Sequence, residues 1–124
     1  MCNTQYNTGM TDKKKSQSFE KLQQEMRRGV IVLAAMSQLK EEQYGYSLLK
    51  TLNEKGYDIG QDTLYPLLRR LEEQQLLDSE WRVDESRPRR YYILNEDGLE
   101  LFEKLKSAWR EEVGTIRRLL DETE

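Results

Sequence analysis

A leucine-patterned segment followed by a basic, tyrosine-rich segment limits the fold of this chain more than any other feature. Residues 61–72 read QDTLYPLLRRLE, in which the four leucines recur at helical spacing. Farther along, residues 77–83 alternate in polarity as a strand does, and residues 87–92 then read RPRRYY. Together they predict a short helix beside a β-hairpin with a basic tip. A winged helix-turn-helix that reads DNA has this layout.

The composition predicts one domain and no catalytic centre. A chain of 124 residues with 36% hydrophobic content has a thin core, and such cores often gain burial area from a partner subunit. Histidine, the commonest general base and metal ligand, is absent, and Cys2 in the polar N-terminal tail is the one cysteine. No glycine-rich phosphate loop is present. We therefore expect no enzyme, no catalytic residues, no metal site and no cofactor.

The distribution of apolar residues and of cysteine also suggests where the protein acts. No apolar run approaches the ~18 residues of a membrane span, and the N-terminus lacks the apolar core of a secretory signal. A lone cysteine allows no intrachain disulfide, which fits a reducing compartment. The expectation is a cytoplasmic protein without membrane contact.

The overall charge argues weakly against nucleic-acid binding, but the local charge does not. The net charge is −3. Residues 95–124 contain nine acidic and five basic residues, which gives −4, so residues 1–94 carry +1. Binding responds to the field within a Debye length of about 8–10 Å and not to the total charge. The acidic total nevertheless keeps a rival reading open, a winged-helix module that binds protein and no DNA.

The order of elements predicts an α+β, mainly α fold, with three helices, a hairpin wing and a last helix. Residues 1–17 read as a flexible polar arm, either solvated or touching phosphate. Residues 18–94 form the expected winged helix-turn-helix domain, and residues 95–124 a C-terminal dimerisation helix. We expect a first helix from Phe19 to about Gln38 that packs closely at Gly29, a second helix ending at a left-handed Gly56, and a third capped by Asp62 with Pro66 in its first turn. Asn95 is expected to cap the last helix.

The candidate DNA-binding residues lie on the third helix, on the hairpin tip and at the start of the second helix. The N-terminal end of a recognition helix points at base edges, and arginines beside it reach phosphates. For Arg69 and Arg70, ion pairs with Glu72 or Glu73 are an equally open alternative. Of Tyr44 and Tyr46, which flank Gly45, one is expected in the core, and the other either joins it or donates its hydroxyl to a phosphate. The full set is Tyr44, Gln61, Asp62, Thr63, Tyr65, Arg69, Arg70, Arg87, Arg89 and Arg90.

The last helix carries an apolar stripe longer than a small core can cover. Pairing with a second copy would bury it, and two-fold symmetry would place two recognition helices about one DNA turn apart, at 10–10.5 bp. Trp109 is either an interface anchor or the lining of a ligand pocket between subunits. The predicted dimer interface consists of Phe19, Leu22, Met26, Phe102, Leu105, Trp109, Val113, Ile116 and Leu120.

Several spaced blocks of this sequence resemble the PadR family of bacterial transcriptional regulators, over about residues 19–120. The blocks are residues 44–46 (YGY), residues 63–72 (TLYPLLRRLE), Trp81, and residues 89–94 (RRYYIL) with Gly98. The resemblance is greatest to short-tailed members with a single C-terminal helix. It implies a homodimeric winged-helix repressor, and it implies that Trp109 lines a pocket for flat aromatic ligands.

Three positions depart from the family pattern. Gln75 stands where many relatives have a glycine, so either it takes a left-handed conformation or the helix runs on. Gly60 replaces a common serine cap, and Asn95 replaces a common threonine. The sequence thus predicts a DNA-binding transcriptional regulator, a homodimeric repressor of an inverted-repeat operator that a small aromatic ligand releases. The alternatives are a constitutive repressor without ligand and the protein-binding module.

Overall fold

The computed structural model describes residues 9–121, which contain five helices and three strands. The fold is α+β and mainly α, as predicted. The described chain divides into two compact units, one ending at Ile31 and one starting at Val32. The elements are α1 (Asp12–Arg28), α2 (Ile31–Ser37), β1 (Gln43–Tyr44), α3 (Gly45–Glu54), α4 (Gln61–Glu73), β2 (Leu77–Asp84), β3 (Arg87–Leu94) and α5 (Glu96–Asp121).

Helix α1 begins earlier than the sequence predicts. The Thr11 hydroxyl accepts a hydrogen bond from the Lys14 amide at 3.1 Å, and Asp12 complements the dipole of the first turn. Residues 12–17 are therefore helical, and their assignment to a flexible arm was wrong. Residues 1–8 of that arm lie outside the described residues. No residue of α1 is buried.

The single helix predicted from Phe19 to Gln38 is interrupted. Helix α1 ends at Arg28 and α2 begins at Ile31, with the Gly29 amide bonded back to the Arg27 carbonyl. The expectation of close packing at Gly29 was wrong, because a Cβ placed there meets no atom within 4 Å. Gly29 is the C-cap of α1 and does not provide room for a neighbouring element.

The core of the second unit is formed mainly by leucines. The four leucines of α4 (Leu64, Leu67, Leu68 and Leu71) are all buried, which confirms the face predicted from their spacing. Met36, Leu39 and Leu48 are fully buried beside them. Burying a leucine side chain contributes about 1.5–3 kcal/mol. The buried face of α4 therefore fixes which of its residues are left to face solvent.

The sheet is antiparallel, in the order β1-β3-β2. Strands β2 and β3 pair from Leu77↔Leu94 to Asp84↔Arg87. The turn between them is formed by two residues, Glu85 and Ser86, which both take positive φ, 50° and 68°. Such a two-residue turn matches the twist of the paired strands. The sequence did not predict β1, which is only two residues long and has no readable period.

Both ends of α4 differ from simple expectation. Gly60, not Asp62, is the N-cap, because the helix already begins at Gln61. Pro66 is consequently the sixth helical residue and leaves the Asp62 carbonyl without its usual amide donor. Gln75 has φ 63°, which decides between the two alternatives in favour of the left-handed conformation. The helix ends at Glu73, two residues before it.

The start of α5 is anchored to the end of α4. The Asn95 side chain accepts from the Gly98 amide at 2.8 Å, which confirms it as the cap, and donates to the Gln75 carbonyl at 2.8 Å. A Cβ at Gly98 would collide with the Leu76 carbonyl oxygen. One turn further on, Phe102 is only 3% exposed. Its placement in the dimer interface was wrong, because the ring is already buried within one chain.

Candidate nucleic-acid interface

The helix-turn-helix is formed by α3 and α4, which approach each other closely at Gly45. A Cβ at Gly45 would lie 2.8 Å from the Tyr65 ring, so only glycine leaves room for that ring. Tyr65 is half-buried by this contact. Gln61, Asp62 and Thr63, in the first turn of α4, are all exposed. Of the four candidates at this end of α4, three are exposed and one, Tyr65, is half-buried against α3.

One face of the wing is joined to the last turn of α4. The Arg90 guanidinium donates to Glu72 at 2.5 Å and, through Nε, to the Ser79 hydroxyl at 3.1 Å. Ser79 in turn donates to the same Glu72 carboxylate. The Ser79 hydrogen bond and the Arg90 guanidinium hold the pKa of Glu72 below its usual range. We call this group of three side chains the Glu72 latch. Sequence reasoning assigned Arg90 to DNA, whereas the structure shows it bonded within the protein.

The other face of the wing is an aromatic and arginine stack. The Tyr44 and Tyr91 rings meet edge to face at 5.4 Å, and the Arg89 guanidinium lies 4.4 Å from the Tyr44 ring. Arg89 also pairs with Asp84 at 3.9 Å. Tyr91 donates to Asp84, and this bond raises the pKa of Tyr91. Tyr44 is thus half-buried in the stack, and Arg89 has only a loose acidic partner.

Arg82 extends this stack in a way that sequence reasoning missed. Its guanidinium binds Glu42 at 2.5 Å and Glu80 at 2.9 Å, and it lies 4.6 Å from the Tyr91 ring. These bonds raise the pKa of Arg82, and the Arg82 hydrogen bond lowers that of Glu42. No local pattern could indicate the long-range pair, because forty residues separate Arg82 from Glu42.

Three of the predicted arginines have no acidic partner among the described residues. Arg69, Arg70 and Arg87 are exposed, and none forms an ion pair with another of residues 9–121. The predicted alternative for Arg69 and Arg70, an ion pair with Glu72 or Glu73, is not what the structure shows. Glu72 pairs with Arg90 instead. On α4 and the wing, the positive charge without an acidic partner therefore comes mainly from these three side chains.

A cleft of about 500 Å³ lies between the wing and helices α3 and α4. Its walls include the exposed rings of Tyr46 and of Trp81, and the sequence predicted no site for Trp81. The lining also includes arginines and Pro88 of the wing, and Tyr65, Leu68 and Arg69 of α4. The cleft opens beside the exposed first turns of α4, so the two features form one surface.

Other kinds of site find no support within the described part of the chain. Residues 9–121 contain no group of three His, Cys, Asp or Glu side chains placed to hold a metal ion. None of their helices is both long enough and apolar enough to pass through a bilayer.

A helix-turn-helix followed by a hairpin that packs on the second helix defines the winged-helix class of nucleic-acid-binding domains. Residues 32–104 match the model of the transcriptional regulator PadR-like family. This chain belongs to that family, whose members are DNA-binding transcriptional regulators and not enzymes.

Solved structures of the family share the fold. A PadR family regulator from Eggerthella lenta is 40% identical, with a TM-score of 0.82, over 86% of this chain and 95% of that one. A PadR-like regulator from Bacillus cereus is 30% identical, with a TM-score of 0.68, over 77% and 96%.

A curated relative matches over a shorter stretch. The transcriptional regulator Rv3488 of Mycobacterium tuberculosis is 47% identical over 51 residues, which are 41% of this chain. The match spans about half (48%) of that regulator's length.

Proposed function

We propose that this regulator is a homodimeric repressor that binds an inverted-repeat operator through α4 and the wing. The observation that carries the proposal is the shared surface of exposed polar residues at the start of α4 and unpaired arginines beside it. Gln61 and Thr63 offer hydrogen-bonding groups to base edges, and Arg69, Arg70 and Arg87 offer charge to phosphates. Arg89 adds a fourth cation with a weak internal partner.

The dimer is supported by apolar side chains that one chain leaves in solvent. On α5, Trp109 is 43% exposed, Ile116 45% and Leu119 56%. On α1, taken by itself, Phe19, Leu22 and Met26 are each at least 63% exposed. A second copy of the chain would cover such stripes by two-fold pairing. The pairing would also present two recognition helices to two half-sites.

Release by a small aromatic ligand is the regulatory part of the proposal. Trp109, half-exposed on α5, is the side chain expected to contact a flat ring between subunits. A ligand bound there would favour a dimer whose recognition helices no longer match the operator spacing. A constitutive repressor would lack this response.

The dimer is tested by light scattering on the purified chain. We expect the mass of two chains, and Ile116→Asp is expected to give the mass of one, because a charge enters the apolar stripe. Lys104→Ala is the matched control on the same helix, since its side chain is 73% exposed and lies outside the stripe. A monomeric wild-type chain would contradict the proposed assembly.

The ligand response is tested by titrating Trp109 fluorescence with a flat aromatic cation and with a phenolic acid. We expect the ligand to quench the tryptophan emission of the wild-type chain and to weaken its binding to DNA. The quenching should disappear in Trp109→Phe. Emission unchanged by both compounds would favour constitutive repression. Repression itself is tested with a reporter gene placed behind a DNA sequence that the regulator binds. Expression of the reporter should rise when the regulator is deleted.

A further inference from the structure

We propose that Trp81 directly contacts the sugar–phosphate backbone of the DNA strand that lies in the cleft between the wing and helices α3 and α4. This rests on the proposed function, since the chain must first bind double-stranded DNA. It adds an aromatic contact to a surface for which the sequence predicted only Tyr44, residues of α4 and the wing arginines.

The first support is the face of the wing that carries Trp81. Paired residues on antiparallel strands share a face, and the register pairs Ser79 with Tyr92 and Trp81 with Arg90. At Tyr92 this face is buried in the core, and toward the hairpin tip, at Trp81, it extends beyond the core. Trp81 is 63% exposed, although tryptophan is among the residues most often covered in folded proteins. The wing therefore presents an aromatic wall that the chain itself does not cover.

The second support is the opposite wall. Tyr46, in the first turn of α3, is 59% exposed, and Tyr65 and Arg69 of α4 continue this side of the cleft. Two aromatic surfaces thus face a trough whose lining also includes Leu68. Deoxyribose offers apolar carbon and hydrogen atoms to such rings, while tyrosine hydroxyls and guanidinium groups donate to phosphate oxygens.

Charge complementarity identifies the occupant. Four arginines line the cleft (Arg69, Arg87, Arg89 and Arg90), and no carboxylate is among its lining residues. Because Arg90 is paired with Glu72, the excess positive charge comes from Arg69, Arg87 and the loosely paired Arg89. The chain as a whole carries −3, so this local excess of positive charge runs against its composition. A polyanion with a repeating phosphate matches several cations at once, which a neutral ligand does not. The cleft is also continuous with α4, whose first turn would enter the neighbouring groove.

The Glu72 latch fixes the position of the aromatic wall. The Arg90 guanidinium lies 5.7 Å from the Trp81 ring and 5.7 Å from the Tyr92 ring while its nitrogens bind Glu72 and Ser79. Trp81 is thereby held against a side chain that is itself bonded to α4. A preformed cleft lowers the entropy lost when DNA binds.

The test compares Trp81→Ala with Val83→Ala in binding to a labelled duplex, measured by fluorescence anisotropy. Val83 is the matched control, because it lies two residues farther along the same face, is 74% exposed and does not line the cleft. We expect Trp81→Ala to weaken binding at least tenfold and Val83→Ala less than twofold. Circular dichroism should show both variants folded, since neither side chain is buried.

Tryptophan emission supplies a readout that does not depend on the alanine variant folding. Saturating duplex should change the emission of the wild-type chain and protect it from iodide, and both effects should be lost in Trp81→Phe. Duplex binding with no change at Trp81, or equal losses for Trp81→Ala and Val83→Ala, would overturn the cleft proposal and leave the proposed function standing. Failure of the wild type to bind any duplex in a random pool would overturn the proposed function itself.

Discussion

The substitution Arg90→Ala tests whether Arg90 stabilises the folded wing or contacts a DNA phosphate. The substitution removes a 2.5 Å bond to Glu72 and a 3.1 Å bond to Ser79. Hydrogen bonds to charged groups contribute about 1.5–3 kcal/mol when well shielded. The Arg90 and Glu72 side chains are 36% and 27% exposed, so solvent screening reduces the expected loss to about 1 kcal/mol. A chain of this size should then melt roughly 3–5 °C lower.

The assay measures both stability and the salt dependence of DNA binding, with Arg87→Ala as the matched control. Arg87 is exposed and forms no ion pair among residues 9–121, so its removal should leave the melting temperature unchanged. It should reduce the slope of log affinity against log salt by about 0.9, the value for one lost phosphate contact. Arg90→Ala should weaken binding without changing that slope. If Arg90→Ala reduced the slope as much as Arg87→Ala and left stability unchanged, the reasoning would be refuted.

Three further predictions concern the fold. Gln75→Gly should raise the free energy of unfolding by about 1 kcal/mol in urea titrations, because Gln75 has φ 63° and glycine adopts that conformation without strain; a loss of stability would count against it. Phe102→Ala should lower it by about 3–5 kcal/mol, and a loss under 1 kcal/mol would mean that the ring is not in the core. The pKa of Glu72 is lowered on folding, so its stabilisation is complete above the ordinary pKa of a glutamate and is lost as the pH falls through the lower folded value. Wild type and Glu72→Gln should therefore differ in stability at pH 7 and converge in acid.

The regular elements could be predicted because they depend on local sequence. The spacing of the α4 leucines indicated the buried face, and alternation indicated the wing. Asn95 was recognisable as a cap because a short polar side chain before acidic residues has one favourable role there. The left-handed Gly56 was predicted for a similar reason.

The sequence failed to predict features that depend on tertiary contacts or on small differences in free energy. The pair of Arg90 with Glu72 was not predicted, because eighteen residues separate the two side chains and they meet only in the folded wing. Phe102 fits the stripe of α5 equally well whether a partner chain or its own core covers it. Trp81 was assigned to the strand and to the family pattern but to no site, because alternation alone does not show that the core ends before it. The N-cap moved from Asp62 to Gly60 because either residue can begin a helix.

The most direct test of the account is selection of duplexes from a random pool by the full chain, followed by salt titration of the selected sequence. The account predicts an inverted repeat with half-sites about one DNA turn apart and a steep fall in affinity with salt. It also predicts loss of most of that affinity in the Arg69→Ala, Arg87→Ala double variant. No enrichment of any sequence, or binding that the double variant leaves intact, would contradict the claim that α4 and the wing form a DNA-binding surface.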